Sequence, residues 1–230
     1  MLARLDWMTL QPHRIVDIGC GIAETTAQLQ TRYPQADVIA IDIAEPMLQH
    51  AKQHSLQKPL TYLCADTMSL PLKDQSVDLL FANFLLPWCE DILSVLQEWH
   101  RVLRPEGLLM FSMLGPDTLQ EWREVFSEQI IPRVIDMHDV GDLLMREGFA
   151  DPVLEVDYYT TTYREVNRLL YELEASGMTT SLTNVTMPSN ALLSVTYEIV
   201  YAHAFGSDTN KKEISSSNEI KIPLSQLRRK

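Results

Sequence analysis

The sequence predicts an α/β fold, a mostly parallel sheet with helices on both faces. Three observations predict it. Short apolar, β-branched runs alternate with stretches of helical spacing through the first half of the 230-residue chain. A glycine turn, Gly19-Cys20-Gly21, follows the first run directly and opens a helix. That is the layout of a nucleotide-binding βαβ unit. The runs also end in or just before polar side chains: Asp17, Asp42, Asp66, Asn83 and Ser112. In an open parallel sheet the carboxyl ends of the strands share one edge, so these five residues are expected around one ligand site.

Each element follows from its residues. Met1 to Leu10 has scattered apolar residues and reads as a short helix. Arg14 to Ile18 is the first strand. Gly19 and Gly21 lack a Cβ, so the backbone can turn sharply and approach a ligand. The helix from Ala23 to Arg32 ends before Pro34. Asp37 to Asp42 is a second strand, and Glu45-Pro46 starts the next helix. Leu60 to Asp66 is a third strand, and Val77 to Asn83 is a fourth, apolar enough to be buried on both faces. Leu93 to Leu103 has helical spacing and meets Arg104-Pro105-Glu106-Gly107, basic residues followed by stop signals. Leu108 to Met113 is the fifth strand.

The second half is less regular. Asp117 to Glu128 and Met137 to Glu147 read as amphipathic helices, the latter stopped by Gly148. Pro152 to Tyr163 alternates and is rich in β-branched and aromatic residues, so it is a strand. Arg164 to Ala175 is helical, with Val166, Leu169, Leu170 and Leu173 on one face. Ser194 to Phe205 is the seventh strand. Gly206 to Asn218 is polar and serine-rich, a flexible linker, before a late edge strand at Glu219 to Leu224 and a basic end, Arg228-Arg229-Lys230. The expected division is one domain over 1–206, with a cofactor half at about 13–115 and an acceptor half at about 116–206, then a linker and tail over 207–230.

Composition narrows the function. The net charge of −12 argues against a nucleic-acid binder, which needs a basic face. No apolar run reaches the roughly 18 residues of a membrane span, and no secretory pattern opens the chain. Cys20, Cys64 and Cys89 are odd in number and share no CxxC spacing. Neither a disulfide framework nor a metal site is expected of them, Cys20 and Cys89 read as small buried hydrophobes, and a cytoplasmic location is the default. Asp42 lies 21 residues after Gly21, close to the ~20 expected of the acidic residue that grips a ribose. A carboxylate accepts from both ribose hydroxyls. The same residue could instead cap the helix that follows, and the two roles are compatible.

These residues resemble the class I S-adenosylmethionine-dependent methyltransferases. The matching words are VDIGCG, IDIAEPML, CADTMSLPL, VDLLFANF and RVLRPEGLLMFS, in order over about 15–115. Ala23 stands where the loop's third glycine is expected, a position where alanine is tolerated. The resemblance implies a Rossmann-like fold with a seven-stranded, mostly parallel sheet, and S-adenosyl-L-methionine as cofactor. It implies that the loop (Asp17, Gly19, Gly21), with Asn83 nearby, holds the amino-acid tail, and that Asp42 takes the ribose. It places Met47 on the adenine ring, Asp66 on its amino group and the Thr67 backbone N–H at the ring. Cys20, within the loop, and Ile43, beside Asp42, complete the implied cofactor set.

Within that superfamily the chain is most similar to the malonyl-acyl carrier protein O-methyltransferases of biotin synthesis. The supporting words run past the cofactor motifs: LLPWCEDILSVLQEWHRVLRPEGLLMFSMLGPDTLQE, IDMHDVGDLLMREGFADPV, VTYEIVYAHAFG and EIKIPLSQLRRK. Two stretches depart from that family's pattern. About a dozen residues precede the first strand, where the family has a longer helical segment, and the stretch from Gly177 to Leu193 is short. The implied reaction caps the free carboxylate of a malonyl thioester on acyl carrier protein. That acceptor is already ionised at neutral pH, so no catalytic base is required. It needs an orienting cation, for which Arg123, Arg133 and Arg146, with His138, are candidates. Trp88 is placed to wall the methyl pocket or to pack in the core. The carrier is acidic, so a local basic patch is expected from Arg101, Arg104 and the C-terminal tail. Other readings stay open at this point: a methyltransferase on a quinone precursor or small acid, a relative of a complex I assembly factor that modifies a protein arginine, or a cofactor-binding protein without catalysis.

Overall fold

A computed structural model describes residues 1–54, 60–122, 134–179 and 193–208. Seven strands form one sheet: β1 (Arg14–Ile18), β2 (Asp37–Asp42), β3 (Thr61–Cys64), β4 (Val77–Asn83), β5 (Leu103–Leu114), β6 (Ala150–Tyr163) and β7 (Leu193–Phe205). Their order is β3-β2-β1-β4-β5-β7-β6. β1 to β5 pair in parallel, and β7 runs antiparallel to both its neighbours. Five α-helices are described: α1 (Glu24–Arg32), α2 (Glu45–His54), α3 (Ile92–Val102), α4 (Met137–Arg146) and α5 (Val166–Ala175).

The alternation of strand side chains divides the core into two faces. Ile15, Val38, Leu79 and Phe81 share one cluster with Leu29 of α1, while Ala40 packs with Leu48 and Ala51 of α2. Val16, Ile18, Ile41 and Leu80 face the other way, onto Val95, Leu96 and Trp99 of α3 and Val140 and Leu144 of α4. The sheet is therefore covered on both sides, as a parallel sheet requires. None of the described helices is long and apolar enough to cross a membrane.

Three expectations change. β5 begins at Leu103, directly after α3, so the Arg104–Gly107 stop signals sit inside the strand. The β4 register jumps there, from Val77↔Leu103 to Leu79↔Leu108. β3 stops at Cys64, leaving Ala65 and Asp66 beyond its end. The helix expected from Asp117 is, over its described part, a short 3-10 turn at Gln120–Trp122. Its side chains are tied to β7: Glu121 accepts from the Thr196 hydroxyl and backbone, and Trp122 Nε1 donates to the Ser194 carbonyl at 2.7 Å. The remainder of that expected helix, the linker beyond 208 and the basic tail lie outside the described residues.

β6 and β7 outgrow the sheet. Leu114, the last residue of β5, and Asp157 both register with Ile199 of β7. Beyond that level Tyr158 to Tyr163 pair only with Leu193 to Glu198. This two-stranded ribbon rises about 20 Å past the end of β5, at about 3.4 Å per residue. α5 folds back beneath it, and Leu169 and Leu173 bury against Leu114, Leu119, Tyr163 and Val195.

Candidate active site

A cavity of about 300 Å³ opens at the carboxyl ends of β1 to β4. The glycine turn forms one wall. Gly19 N–H and Cys20 N–H both donate to the Ile41 carbonyl, at 2.8 and 3.0 Å, which ties the turn to the end of β2. Gly19 and Gly21 have φ of +69° and +53°, a region open to glycine at little cost. Leu85 lies over Gly19 so closely that a Cβ there would stand 3.0 Å from Leu85 Cδ1.

Asp42 organises the wall beside it. Its Oδ2 accepts the Gly21 N–H and its Oδ1 accepts the Ala44 N–H, each at 2.8 Å. Each oxygen keeps a further lone pair. One carboxylate thus anchors the loop, starts the chain toward α2 and still presents acceptors to the cavity. Ile43, Met68 and Leu85 supply apolar walls. Asp66 shapes the opposite turn: its Oδ1 accepts the Met68 N–H at 2.9 Å. The Thr67 hydroxyl oxygen accepts Trp99 Nε1–H at 2.8 Å, which ties this wall to α3.

The other expected residues divide. Gly19, Asp42, Ile43, Asp66, Thr67 and Trp88 line the cavity. Gly21 and Met47 are not among its lining residues; the Met47 methyl lies instead beside the Gly21 backbone. Asp17 is turned inward beneath the loop, 1% exposed. Its Oδ2 accepts the Thr26 hydroxyl at 2.6 Å. Burial pushes its carboxyl up to about 7; the Thr26 bond opposes this and the Asp42 charge adds to it. Cys20 is buried with its sulfur beside the Gly21 carbonyl, and burial raises its thiol well above the usual range. Cys89, in the cavity wall, is pushed up to about 11 by burial and then by Asp66. Both stay thiols at neutral pH, so neither is a ready nucleophile.

Asn83 stands at the end of β4 and accepts the Ser112 hydroxyl at 2.7 Å. Ser112 in turn receives the Phe84 N–H on its carbonyl and its hydroxyl, at 3.0 and 3.2 Å. Phe84 is held at φ +56°, an uncommon conformation for an aromatic residue. His138 is in the first turn of α4, its ring bonded to Asp136 at 2.7 Å, and it does not line the cavity. Arg146 pairs with Glu147 where α4 ends, at the opposite edge. Arg123 and Arg133 lie outside the described residues. Leu85, Met68 and Glu90 line the cavity without having been singled out from sequence, and so does Cys89, read there only as a small hydrophobe. The only signal for them is their place just past a strand end.

Three carboxylates, Asp42, Asp66 and Glu90, line the cavity, and among the described residues no lysine, arginine or histidine does. This fits a cationic nucleoside. Asp42 offers acceptors for a diol, the apolar walls suit an aromatic base, and the glycine turn leaves room for a polar tail.

The comparisons agree with this geometry. The methyltransferase domain family matches residues 16–111. A malonyl-[acyl-carrier protein] O-methyltransferase of Gallionella capsiferriformans (strain ES-2) is 39% identical over 234 residues, covering 89% of this chain and 81% of the relative. The enzyme of the same name from Halorhodospira halophila is 35% identical over 256 residues, covering 100% and 86%. Among solved structures, a SAM-dependent methyltransferase of Methanosarcina mazei shares the fold with a TM-score of 0.61 at 14% identity, over 90% of this chain and 99% of that one. Identity of this order along nearly the whole chain, past the cofactor half and through β7, places the protein in the malonyl-[acyl-carrier protein] O-methyltransferase family.

Proposed function

We propose that this chain transfers a methyl group from S-adenosyl-L-methionine to the free carboxylate of a malonyl thioester on acyl carrier protein. The observation that carries the reading is the match to curated relatives of that name over most of both chains. It is joined to a cavity whose walls fit the methyl donor.

When bound, the cofactor supplies an electrophilic methyl on a sulfonium. The protein's task is placement and exclusion of water. Asp42 takes the ribose diol while fixing the loop, so one side chain couples donor position to loop position. Gly19 and Gly21 let the backbone close on the amino-acid tail, and Asp66 and the Thr67 backbone meet the base. Ile43 and Met68 wall that end. Trp88, in the 3-10 turn Leu86–Trp88, stands between the cavity and the acceptor half. The Asn83–Ser112–Phe84 chain fixes the end of β4 where the acceptor enters. A carboxylate acceptor is ionised at neutral pH and needs no base. The neutral thiols of Cys20 and Cys89 offer no competing nucleophile. Capping the carboxylate removes a charge, so chain-elongating enzymes can accept the group as an ordinary acyl end.

The test is a transfer assay with methyl-labelled S-adenosylmethionine and malonyl-acyl carrier protein, with acetyl-acyl carrier protein beside it. The expected product is a base-labile methyl ester on the malonyl carrier alone. Label on both carriers, or on neither while the cofactor binds in the same sample, overturns the reading.

A further inference from the structure

Two walls of the cavity, separate in sequence, hang on one helix. Trp88, Cys89 and Glu90 line one side and lead straight into Asp91, the cap of α3. The Asp91 carboxylate accepts the Ser94 N–H at 3.1 Å and the Ser94 hydroxyl at 2.6 Å. Ala65, Asp66, Thr67 and Met68 line another side. They open the connection from β3 to β4, and that connection is fastened to the far half of α3.

The bonds that fasten it come from three side chains and the end of the helix. Trp99 is fully buried and spends its one N–H on the Thr67 hydroxyl at 2.8 Å. Glu98 accepts the Leu70 N–H at 2.6 Å. Arg101 donates to the Leu70 carbonyl at 3.1 Å, to the Leu72 carbonyl at 2.9 Å and to Asp74 at 2.5 Å. Both Glu98 oxygens hold the same guanidinium, at 2.6 and 2.7 Å. The Arg101 and Val102 carbonyls accept the N–H groups of Gln75 and Ser76, each at 2.8 Å. Arg101 and Arg104, expected in a basic patch for the carrier, are thus committed elsewhere. Arg101 is neutralised by Glu98 and Asp74 with one third of its side chain in solvent, and Arg104 pairs with the buried Asp78.

A helix rises about 1.5 Å per residue, so the two attachment points at Asp91 and Trp99 are held about 12 Å apart along the axis. Resting on the reading that this cavity takes the methyl donor, we propose that Trp99 and the Glu98–Arg101 pair are positioning residues for the donor's base. None of the three lines the cavity. They act through Thr67 and through the seat of the loop that carries Asp66. A guanidinium suits this task, because its planar fork bonds two carbonyls and a carboxylate at once, where an ammonium is a point charge. α3 is then a strut between the Asp66–Thr67 wall and the Trp88–Glu90 wall. Loosening its far end weakens the nucleoside although no group that touches it has been removed.

Calorimetry on the full chain measures affinity for S-adenosylhomocysteine and for 5′-methylthioadenosine, which keeps base and ribose but lacks the amino-acid tail. Trp99→Phe keeps an aromatic ring and removes the N–H. It is expected to weaken both ligands equally, by about three- to tenfold, and to raise donor KM with kcat within about twofold. Thr67→Val should weaken both as well, and Trp99→Phe added to Thr67→Val should cost nothing further, since one bond carries both effects. Arg101→Lys, at a partly exposed side chain, keeps the charge and loses the fork. It should weaken both ligands too, and it decides the matter if Trp99→Phe does not fold. Unchanged affinity in either folded variant overturns the strut, whatever the melting temperature does, because it confines these bonds to packing. Additive losses in the double variant overturn it, since Trp99 then acts without Thr67. A loss on S-adenosylhomocysteine that is absent with 5′-methylthioadenosine overturns it by placing the effect at the tail. Wild-type protein that binds neither ligand overturns the underlying reading, and binding wild type with indifferent variants overturns the strut alone.

Discussion

Asp42 holds two backbone N–H groups from two different segments, so its substitution has two separable effects. Asp42→Ala leaves the Gly21 and Ala44 N–H groups without their partner and removes the diol acceptor. Cofactor affinity by titration calorimetry is expected to fall by about 1–3 kcal/mol, and the apo protein should melt earlier. Unchanged affinity would remove Asp42 from the site. Asp17 makes a prediction of a different kind. Its carboxyl takes up a proton near pH 7 in the fold but near pH 4 when unfolded. Between those values the native state binds more protons, so this group's contribution to stability falls as pH rises from about 4 to about 7, then levels off. Asp17→Asn keeps an acceptor for Thr26 and removes the charge. Its gain in melting temperature over wild type should be largest at about pH 8 and vanish at about pH 4. A gain independent of pH would show that burial of the charge is not the cause. The residue types at the strand ends were legible from sequence because strand polarity alone puts them on one edge. Their orientations were not, since whether Asp17 points into the cavity or beneath the loop depends on Thr26, nine positions away.

At the scale of elements, α5 and the turn of Trp88 meet through a single glycine. Gly177 has φ +74°, and a Cβ there would stand 3.2 Å from the Trp88 ring. Gly177→Val combines backbone strain with displacement of the ring, and should destabilise the protein by about 1–3 kcal/mol. Because Trp88 lines the cavity, the variant should also change cofactor-induced tryptophan fluorescence. Loss of stability with an unaltered fluorescence response would confine the contact to packing. The strands and helices of the first half were legible because each carries its own period and its own stop. The ribbon was not. Pro152 to Tyr163 reads as a strand from its alternation, but its overhang is a matter of register against β7, and register resides in pairs of segments. Over its described part, residues 117–122, the expected Asp117 helix is replaced by a 3-10 turn for the same reason: Glu121 and Trp122 are held by Thr196 and Ser194, some seventy residues on, and there these contacts outweigh local helical spacing.

The whole molecule carries a net charge of −12 and turns an acidic face to its ligands. The sequence disclosed the total but not its distribution, which follows from strand and helix direction. With a net charge of this sign, encounter with an acidic carrier is opposed at long range. Raising salt from a low value should therefore increase kcat/KM for the carrier by screening repulsion. A fall from the lowest salt onward would mean that attraction dominates at every distance.

The cavity lined by Asp42, Asp66 and Glu90 has a consequence for turnover. The methyl donor carries a sulfonium and an ammonium against one carboxylate, and is a net cation. The spent cofactor has lost the sulfonium charge and is neutral overall. Calorimetry across a salt series should show donor affinity falling as ions screen the wall, while affinity for the demethylated product barely moves. Transfer itself thus discharges the attraction, and the wall that recruits the donor loosens its hold once the methyl has gone.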